Sequence, residues 1–335
     1  VPRLDYSDGT CPSLLLEPAS TNLITYSEDF SNASWSKTNI TLTSNNSISP
    51  DGTLNADKLE FTTSSGEINR SLGIVIGQEY TISFYAKTES GTINFNYGNI
   101  DYTVVGGIAT TEWQRFEVTQ TAPATTRFPK IQTTEIGSLL LWGFQVEQNS
   151  YATSYIKTIG SPQTRVSDTA NGAGNASTFN DSQGVLMFEG SALADDGTDR
   201  VITISDGTNS NRLTFYYGIA SNTINFNVYS GNILQAFTSY ELSDSSTFSK
   251  FSVKYKQNDF ALWVDGFKVF VDGSGISPIN LDRINFALGN QSVPFYGNTK
   301  QIQYYDSALN DSELEKLTSY TSFTAMANAQ SYTII

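Results

Sequence analysis

Thr81-Ile82-Ser83-Phe84-Tyr85-Ala86 alternates in period two, with Gly77 before it and Gly91 after it. Alternation of this kind sends successive side chains to opposite faces of a strand, so one face packs and the other meets water. Thr92-Ile93-Asn94-Phe95-Asn96-Tyr97 repeats the pattern directly downstream. Working outward, Trp113-Gln114-Arg115-Phe116-Glu117-Val118 and Leu139-Leu140-Leu141-Trp142 read as further strands. Short strands at close spacing, parted by turn residues, predict an antiparallel β-sandwich over residues 21–159.

A change of texture follows. Over residues 160–183 Gly160, Pro162, Gly172, Gly174, Asn175 and Asn180 dominate and apolar residues thin out, which reads as a linker. Strands resume at Gly184-Val185-Leu186-Met187-Phe188-Glu189. They continue through Arg200–Ser205, Arg212–Tyr217, Thr223–Tyr229, Lys250–Tyr255 and Phe260–Val264. Asp265-Gly266 and Asp272-Gly273 are hairpin signals. This predicts a second sandwich over residues 184–320. One helix is expected near the end, from about Asp311 to Thr318, with Asn310 as cap and Glu313 completing a capping box. Residues 1–20, with Pro2, Gly9, Pro12 and Pro18 around Leu14-Leu15-Leu16, read as an extended arm, and residues 321–335 as a tail. The arm's leucines would be buried on the first sandwich or on a neighbouring chain. The expected fold class is all-β: two antiparallel sandwiches and one short C-terminal helix.

Composition narrows the chemistry. The 335 residues include no His and one Cys, against 18 Tyr, 20 Phe and 4 Trp. A Ser–His–Asp triad, a His general base, a His-ligated metal and an intrachain disulfide are therefore excluded. A net charge of −14 argues against nucleic acid and anionic membranes as partners. No apolar run approaches the roughly 20 residues that span a bilayer. The chain begins at Val1 with neither Met nor a signal peptide and reads as an excised or processed piece. What remains is a chain with many flat rings and few catalytic groups, which suits binding sugars better than transforming them.

Several segments carry a resemblance. Pro2-Arg3-Leu4-Asp5-Tyr6, Cys11-Pro12, Leu14–Pro18 and Thr21-Asn22-Leu23 resemble a recurring segment of bacteriophage tail-fibre and tail-associated proteins. Tyr26-Ser27-Glu28-Asp29-Phe30, Trp35, Ser49-Pro50-Asp51-Gly52-Thr53 and Ala56-Asp57-Lys58-Leu59 fit the same pattern. So do Trp142-Gly143, Gln145, Glu147, Ala152-Thr153-Ser154-Tyr155-Ile156 and Thr164-Arg165. The body between resembles a jelly-roll carbohydrate-binding module, through Gly77–Thr81, Phe84–Lys87 and Trp113. Residues 184–320 resemble a concanavalin A-like, laminin-G-type sandwich, through Trp263-Val264-Asp265-Gly266, Phe286–Gly289, Gly297 and Ile302–Tyr305. The resemblance implies non-catalytic recognition of a polysaccharide or cell-surface glycan on a bacterium, an extracellular or virion-tail location, and a homotrimer.

Sugar binding needs aromatic platforms with amide and carboxylate partners for hydroxyls. In the first module Trp35, Tyr85, Tyr97, Tyr102 and Trp113 are candidates, with a core place the favoured alternative for Trp113. Tyr97 and Tyr102 flank a polar turn that contains Asn99 and Asp101, so this turn is the expected platform. In the second module Tyr216 and Tyr229 alternate with Asn and Ser. Trp113, Trp142 and Trp263 read as core. A calcium ion is the one cofactor to consider, held by Asp195, Asp196 and Asp199 with Asn209, or by Glu28, Asp29 and Asn32; the alternative is a solvated acidic loop. Two other functional classes stay open. A polysaccharide lyase would use Tyr with Arg or Lys, and is favoured over a hydrolase because the only carboxylates at i, i+2 sit on the expected helix, at Asp311, Glu313 and Glu315. The third class is a purely structural fibre module.

Overall fold

The Glu79–Lys87 strand buries Tyr80, Ile82, Phe84 and Ala86 on one side, as its alternation requires. The structure, a computed structural model, describes residues 3–6, 11–133 and 135–319, so the expected tail at 321–335 lies outside the described residues. The Glu79–Lys87 strand sits in a five-stranded sheet ordered Gln114–Thr121, Glu79–Lys87, Gly137–Glu147, Leu54–Phe61, Ile40–Ile48. A second five-stranded sheet runs Val104–Ala109, Ile93–Gly98, Lys130–Thr133, Glu67–Asn69, Ser36–Thr38. All these pairings are antiparallel. The apolar faces of the two sheets share one core, with Phe84 stacked against Phe144 and Phe116. This unit spans residues 19–167.

The second unit is a sandwich of seven and six strands, with Phe188, Phe215, Phe226, Phe251 and Phe260 in its core. Its six-stranded sheet runs Asn171–Ala173, Arg283–Asn285, Arg200–Ser205, Arg212–Tyr217, Thr223–Ser230, Ile233–Glu241. Asp265 and Gly266, at φ 47° and 87°, make the two-residue turn between Phe260–Val264 and Phe267–Asp272. Asp272-Gly273 makes no hairpin. Asp272 ends its strand, and its carboxylate accepts the Ser274 N–H and hydroxyl instead. The helix spans Asp311–Ser319. Asn310 Oδ1 accepts the Glu313 N–H and Glu313 Oε2 accepts the Asn310 N–H, the reciprocal pair of a capping box. Leu314 and Leu317 bury against Val185, Met187, Ala261 and Trp263. Among the described residues no helix is long and apolar enough to cross a membrane.

The N-terminal residues correct the expectation of an extended arm packed on the first sandwich or on a neighbouring chain. Ser13–Leu16 pairs with Gly297–Tyr305, and Arg3–Asp5 pairs outside it, so both extend the seven-stranded sheet. Leu16 enters the core of the second sandwich and Leu14 packs against it. The physical reason is the open edge of Gly297–Tyr305, whose backbone N–H and C=O groups need partners. Residues 1–18 and 168–335 thus form one unit, and the first sandwich is an insertion between them. The ends of the insertion are latched: the Glu17 N–H donates to Asp168 Oδ2 at 2.9 Å, the Asp168 N–H donates to Glu17 O at 2.9 Å, and Arg3 bonds both carboxylates.

The expected linker is likewise built into strands. Gln163–Arg165 pairs with Ser20–Asn22, Asn171–Ala173 pairs with Arg283–Asn285, and Phe179 is a core residue. Leu16→Ala should therefore lower the stability of the second sandwich by about 2–5 kcal/mol. Calorimetry should show its transition shifted and that of the first sandwich in place; a shift confined to the first sandwich would return the arm to that unit.

Candidate functional site

Among the segments that carry the tail-protein resemblance, those within residues 20–27 and 145–156 meet in one buried hydrogen-bonded clasp of the first sandwich, whereas Arg3–Asp5 and Ser13–Leu16 lie in the second. Asn22 Nδ2 donates to Ile156 O at 2.9 Å, and its Oδ1 accepts the Val146 N–H. Glu147 accepts the Ser20 hydroxyl, the Thr153 N–H and the Thr153 hydroxyl. Gln145 Oε1 accepts the Ile156 N–H at 2.7 Å, and Ser27 bonds Tyr155. These side chains satisfy the backbone of the Thr153–Ile156 segment where it crosses the sheet. They are structural, and the clasp leaves no ring presented to a sugar.

The expected platform at the 97–102 turn is only half present. Tyr97 is 7% exposed, packs edge-on against Phe84 at 5.2 Å, and donates its hydroxyl to Glu117 O at 3.0 Å. It is core because it shares the inward face of Ile93–Gly98 with Ile93 and Phe95. Tyr102, 64% exposed at φ 74°, lies with its ring centroid 3.5 Å from the Arg127 guanidinium carbon. Asn99 donates to Phe128 O, and Asp101 accepts the Thr103 N–H and hydroxyl and Gln120 Nε2. Both polar groups are thus engaged in holding the turn. Trp35 is also core, with its Nε1 donating to Tyr26 O and its ring against Phe30 and Phe144. Tyr85 is half-buried against Trp142.

The proposed calcium ligands do not converge. Asp195 accepts the Ser221 hydroxyl and the Asn222 N–H, Asp196 pairs with Arg200, and Asp199 accepts the Ile219 backbone N–H, its pKa raised by burial. Glu28 is taken by Tyr155, Lys157 and Asn55, and Asp29 by Ser31 and Asn32. Among the described residues no three acidic or thiol side chains are grouped to hold a metal ion. A polar pocket of about 490 Å³ beside Glu28 also holds Asp57. Burial pushes the Asp57 pKa up to about 6, although the Phe30 and Asn45 N–H groups bond its carboxylate.

The six-stranded sheet of the second sandwich assembles a different surface. Its strands bury Ile202, Ile204, Leu213, Phe215, Ile224, Phe226 and Val228 inward, so the intervening residues form the opposite face. Register fixes which of them are neighbours. One row reads Ser205, Arg212, Tyr229, Leu234; the next Asn285, Thr203, Thr214, Asn227, Phe237; the third Val201, Tyr216, Asn225, Ser239. The register shifts between Val228 and Tyr229, a bulge that re-aims Tyr229. The Arg212 guanidinium carbon stands 3.9 Å from the Tyr229 ring centroid, and Arg212 Nη1 donates to Asn209 O. Tyr216 lies beside Asn227, with its phenol pKa pushed up by burial and then by Asp199.

Buried polar atoms on this face without a protein partner include Thr203 Oγ1, Thr214 Oγ1, Asn227 Oδ1 and Arg212 Nε, with Asn171 Oδ1 at its edge. Thr203 and Thr214 are 0% and 1% exposed and Asn227 is 8% exposed. A buried group of this kind left unpaired destabilises a fold by about 1–3 kcal/mol, so each needs a partner from water or from a ligand. The sequence had singled out Tyr216 and Tyr229. It missed Arg212 and the exposed Phe237, whose place on the face follows only from the cross-strand register.

No protein-family model matches the chain, and no curated protein matches it. Among solved structures, mouse laminin alpha1 chain domains LG4-5 match over 72% of this chain and 88% of theirs, at 11% identity and a TM-score of 0.31. The leech intramolecular trans-sialidase matches over 47% of this chain at 17% identity and a TM-score of 0.37. This chain spans 27% of the trans-sialidase's length. The enzymatically active domain of bacteriophage CBA120 tailspike protein 4 matches over 37% of this chain and 21% of its own, at 14% identity and a TM-score of 0.30.

The two tyrosines of the first-module turn should separate cleanly. Tyr97→Ala leaves a cavity among Phe84, Phe95 and Phe116 and is expected to lose about 3–5 kcal/mol, as buried aromatics do. Tyr102→Ala should change the melting temperature of the first sandwich little. Equal melts of the two variants would contradict this placement.

Proposed function

We propose that the chain is a glycan-recognition protein, and that the outer face of the six-stranded sheet in the second sandwich is its binding platform. The observation that carries this reading is the set of buried polar atoms without protein partners: those of Thr203, Thr214 and Asn227 in the row between Tyr216 and Tyr229, and that of Arg212 opposite Tyr229. A pyranose offers an apolar face to an aromatic ring and hydroxyls to amides and hydroxyls, and this surface supplies both kinds of partner. Arg212 and Tyr216 lie four residues apart on one strand, about 13 Å, a span that suits an oligosaccharide.

Catalysis by a tyrosine base fits the site less well. A general base needs a pKa brought toward the working pH, whereas burial drives the Tyr216 phenol upward. The wider context we propose is a phage tail fibre or a related extracellular surface protein acting on bacterial cell-surface glycans. That context draws on the tail-protein resemblance of the first module, and a homotrimer belongs with it. Light scattering at three times the 36.7 kDa chain mass would support the trimer, and a single chain mass would remove it.

A glycan array with the intact chain, run beside an assay for unsaturated and reducing-end products, tests the reading. Binding without product is expected. Tyr216→Ala and Tyr229→Ala should each weaken the best ligand about tenfold or more, by analogy with about 1–3 kcal/mol per base stacked on an aromatic ring. Tyr102→Ala should bind as the parent does. Full affinity in well-folded Tyr216→Ala and Tyr229→Ala variants would move the site elsewhere, and product formation would make the protein an enzyme.

A further inference from the structure

The second sandwich contains four arginines, and three of them are neutralised by carboxylates. Arg3 bonds Glu17 and Asp168, Arg200 bonds Asp196, and Arg283 bonds Asp282. Arg212 differs. Among the described residues no carboxylate lies within ion-pair distance of it, and its neighbours are the Asn209 carbonyl and Tyr229, through both ring and hydroxyl. Its Nε is buried without a partner, and burial pushes the guanidinium pKa down. In a chain of net charge −14, a half-buried guanidinium with no counter-charge is out of keeping with its surroundings. It is held in place from two sides. The Asn209 carbonyl fixes one nitrogen, Tyr229 supports the plane, and the Asn290 N–H donates to Asn209 Oδ1 at 3.1 Å to fix the loop.

A planar fork held this way matches a carboxylate through two parallel N–H···O bonds, the geometry that distinguishes Arg from Lys. The opposite end of the face carries the reverse charge. Asp199 acts on Tyr216 there, so an anion is favoured at the Arg212 end and disfavoured at the other. Thr214 and Asn227, with their unpaired oxygens, lie between the two ends.

We propose that Arg212 receives the carboxylate of an acidic glycan, with the neutral part of the sugar chain running over Thr214 and Asn227 toward Tyr216. This rests on the reading of the face as a glycan platform. Sulfate esters share the negative charge but lack the planar pair of oxygens, so they serve as the comparison.

The test uses the intact chain on an array of neutral, uronate-bearing, sialylated and sulfated glycans. The best carboxylated binder is then compared with its carboxyl-reduced form by calorimetry. Carboxylated glycans should lead the array, and carboxyl reduction should weaken binding tenfold or more. Arg212→Gln should bring that ratio close to one, read between the acid and reduced forms on the same variant. Arg212→Lys, which keeps the charge and loses the fork, should restore only part of the ratio. Melting curves of both variants confirm folding. A neutral glycan as best binder, equal affinity for acid and reduced forms, or an undiminished ratio in Arg212→Gln would each overturn the inference and leave the platform reading standing. Sulfated glycans ahead of carboxylated ones would overturn the carboxylate assignment. Binding to no glycan at all would overturn the platform reading, and this inference with it.

Discussion

The antiparallel register that sets Arg212 against Tyr229, Thr214 against Asn227 and Tyr216 against Asn225 is the constraint on which this account depends. It is held by the other side of the same strands. Leu213, Phe215, Ile224, Phe226 and Val228 are buried in the core, and a slip of one residue would turn all of them to the outer face. Burial of several large side chains, each worth about 1.5–3 kcal/mol, therefore fixes the arrangement of polar groups they do not touch. The site is a by-product of packing in this sense: the core chooses the register, and the register chooses the neighbours.

Acidity has a structural use here that composition alone conceals. Asp51, Asp101, Asp206, Asp244 and Asp272 each accept the N–H and hydroxyl of the residue two positions on, always Ser or Thr. Such turns let short polar residues replace the backbone's missing partners at strand ends. Carboxylates employed this way are committed to the backbone and to neighbouring hydroxyls. The same economy explains the tail-protein motif, whose Asn22, Gln145, Glu147 and Thr153 hold a crossing segment against the sheet.

Local pattern was a good guide to strands and to the helix, and a poor one to everything set by distant pairing. Strand-like runs bounded by turn residues matched Arg200–Ser205, Arg212–Tyr217 and Phe260–Val264 to the residue, and the capping box matched the start of the helix. The N-terminal leucines were read as an arm because their partner strand, Gly297–Tyr305, lies some 280 residues away, and no local signal names it. Tyr97 was misread for a related reason. A ring beside a polar turn looks exposed until its strand parity, shared with Ile93 and Phe95, is counted. For the candidate face, composition singled out two tyrosines, but Arg212 and Phe237 join them only through cross-strand register, which a single sequence does not carry.

The most direct test of the central claim is a crystal structure of the intact chain with a bound oligosaccharide drawn from its best array ligand. The account predicts a sugar ring stacked on Tyr216 or Tyr229, with hydroxyls within about 3 Å of Thr203, Thr214 or Asn227, the ordinary hydrogen-bond range. An oligosaccharide seated at the Tyr102 turn, in the pocket beside Glu28 and Asp57, or on the seven-stranded sheet, with the Arg212–Tyr229 face left to solvent, would contradict it.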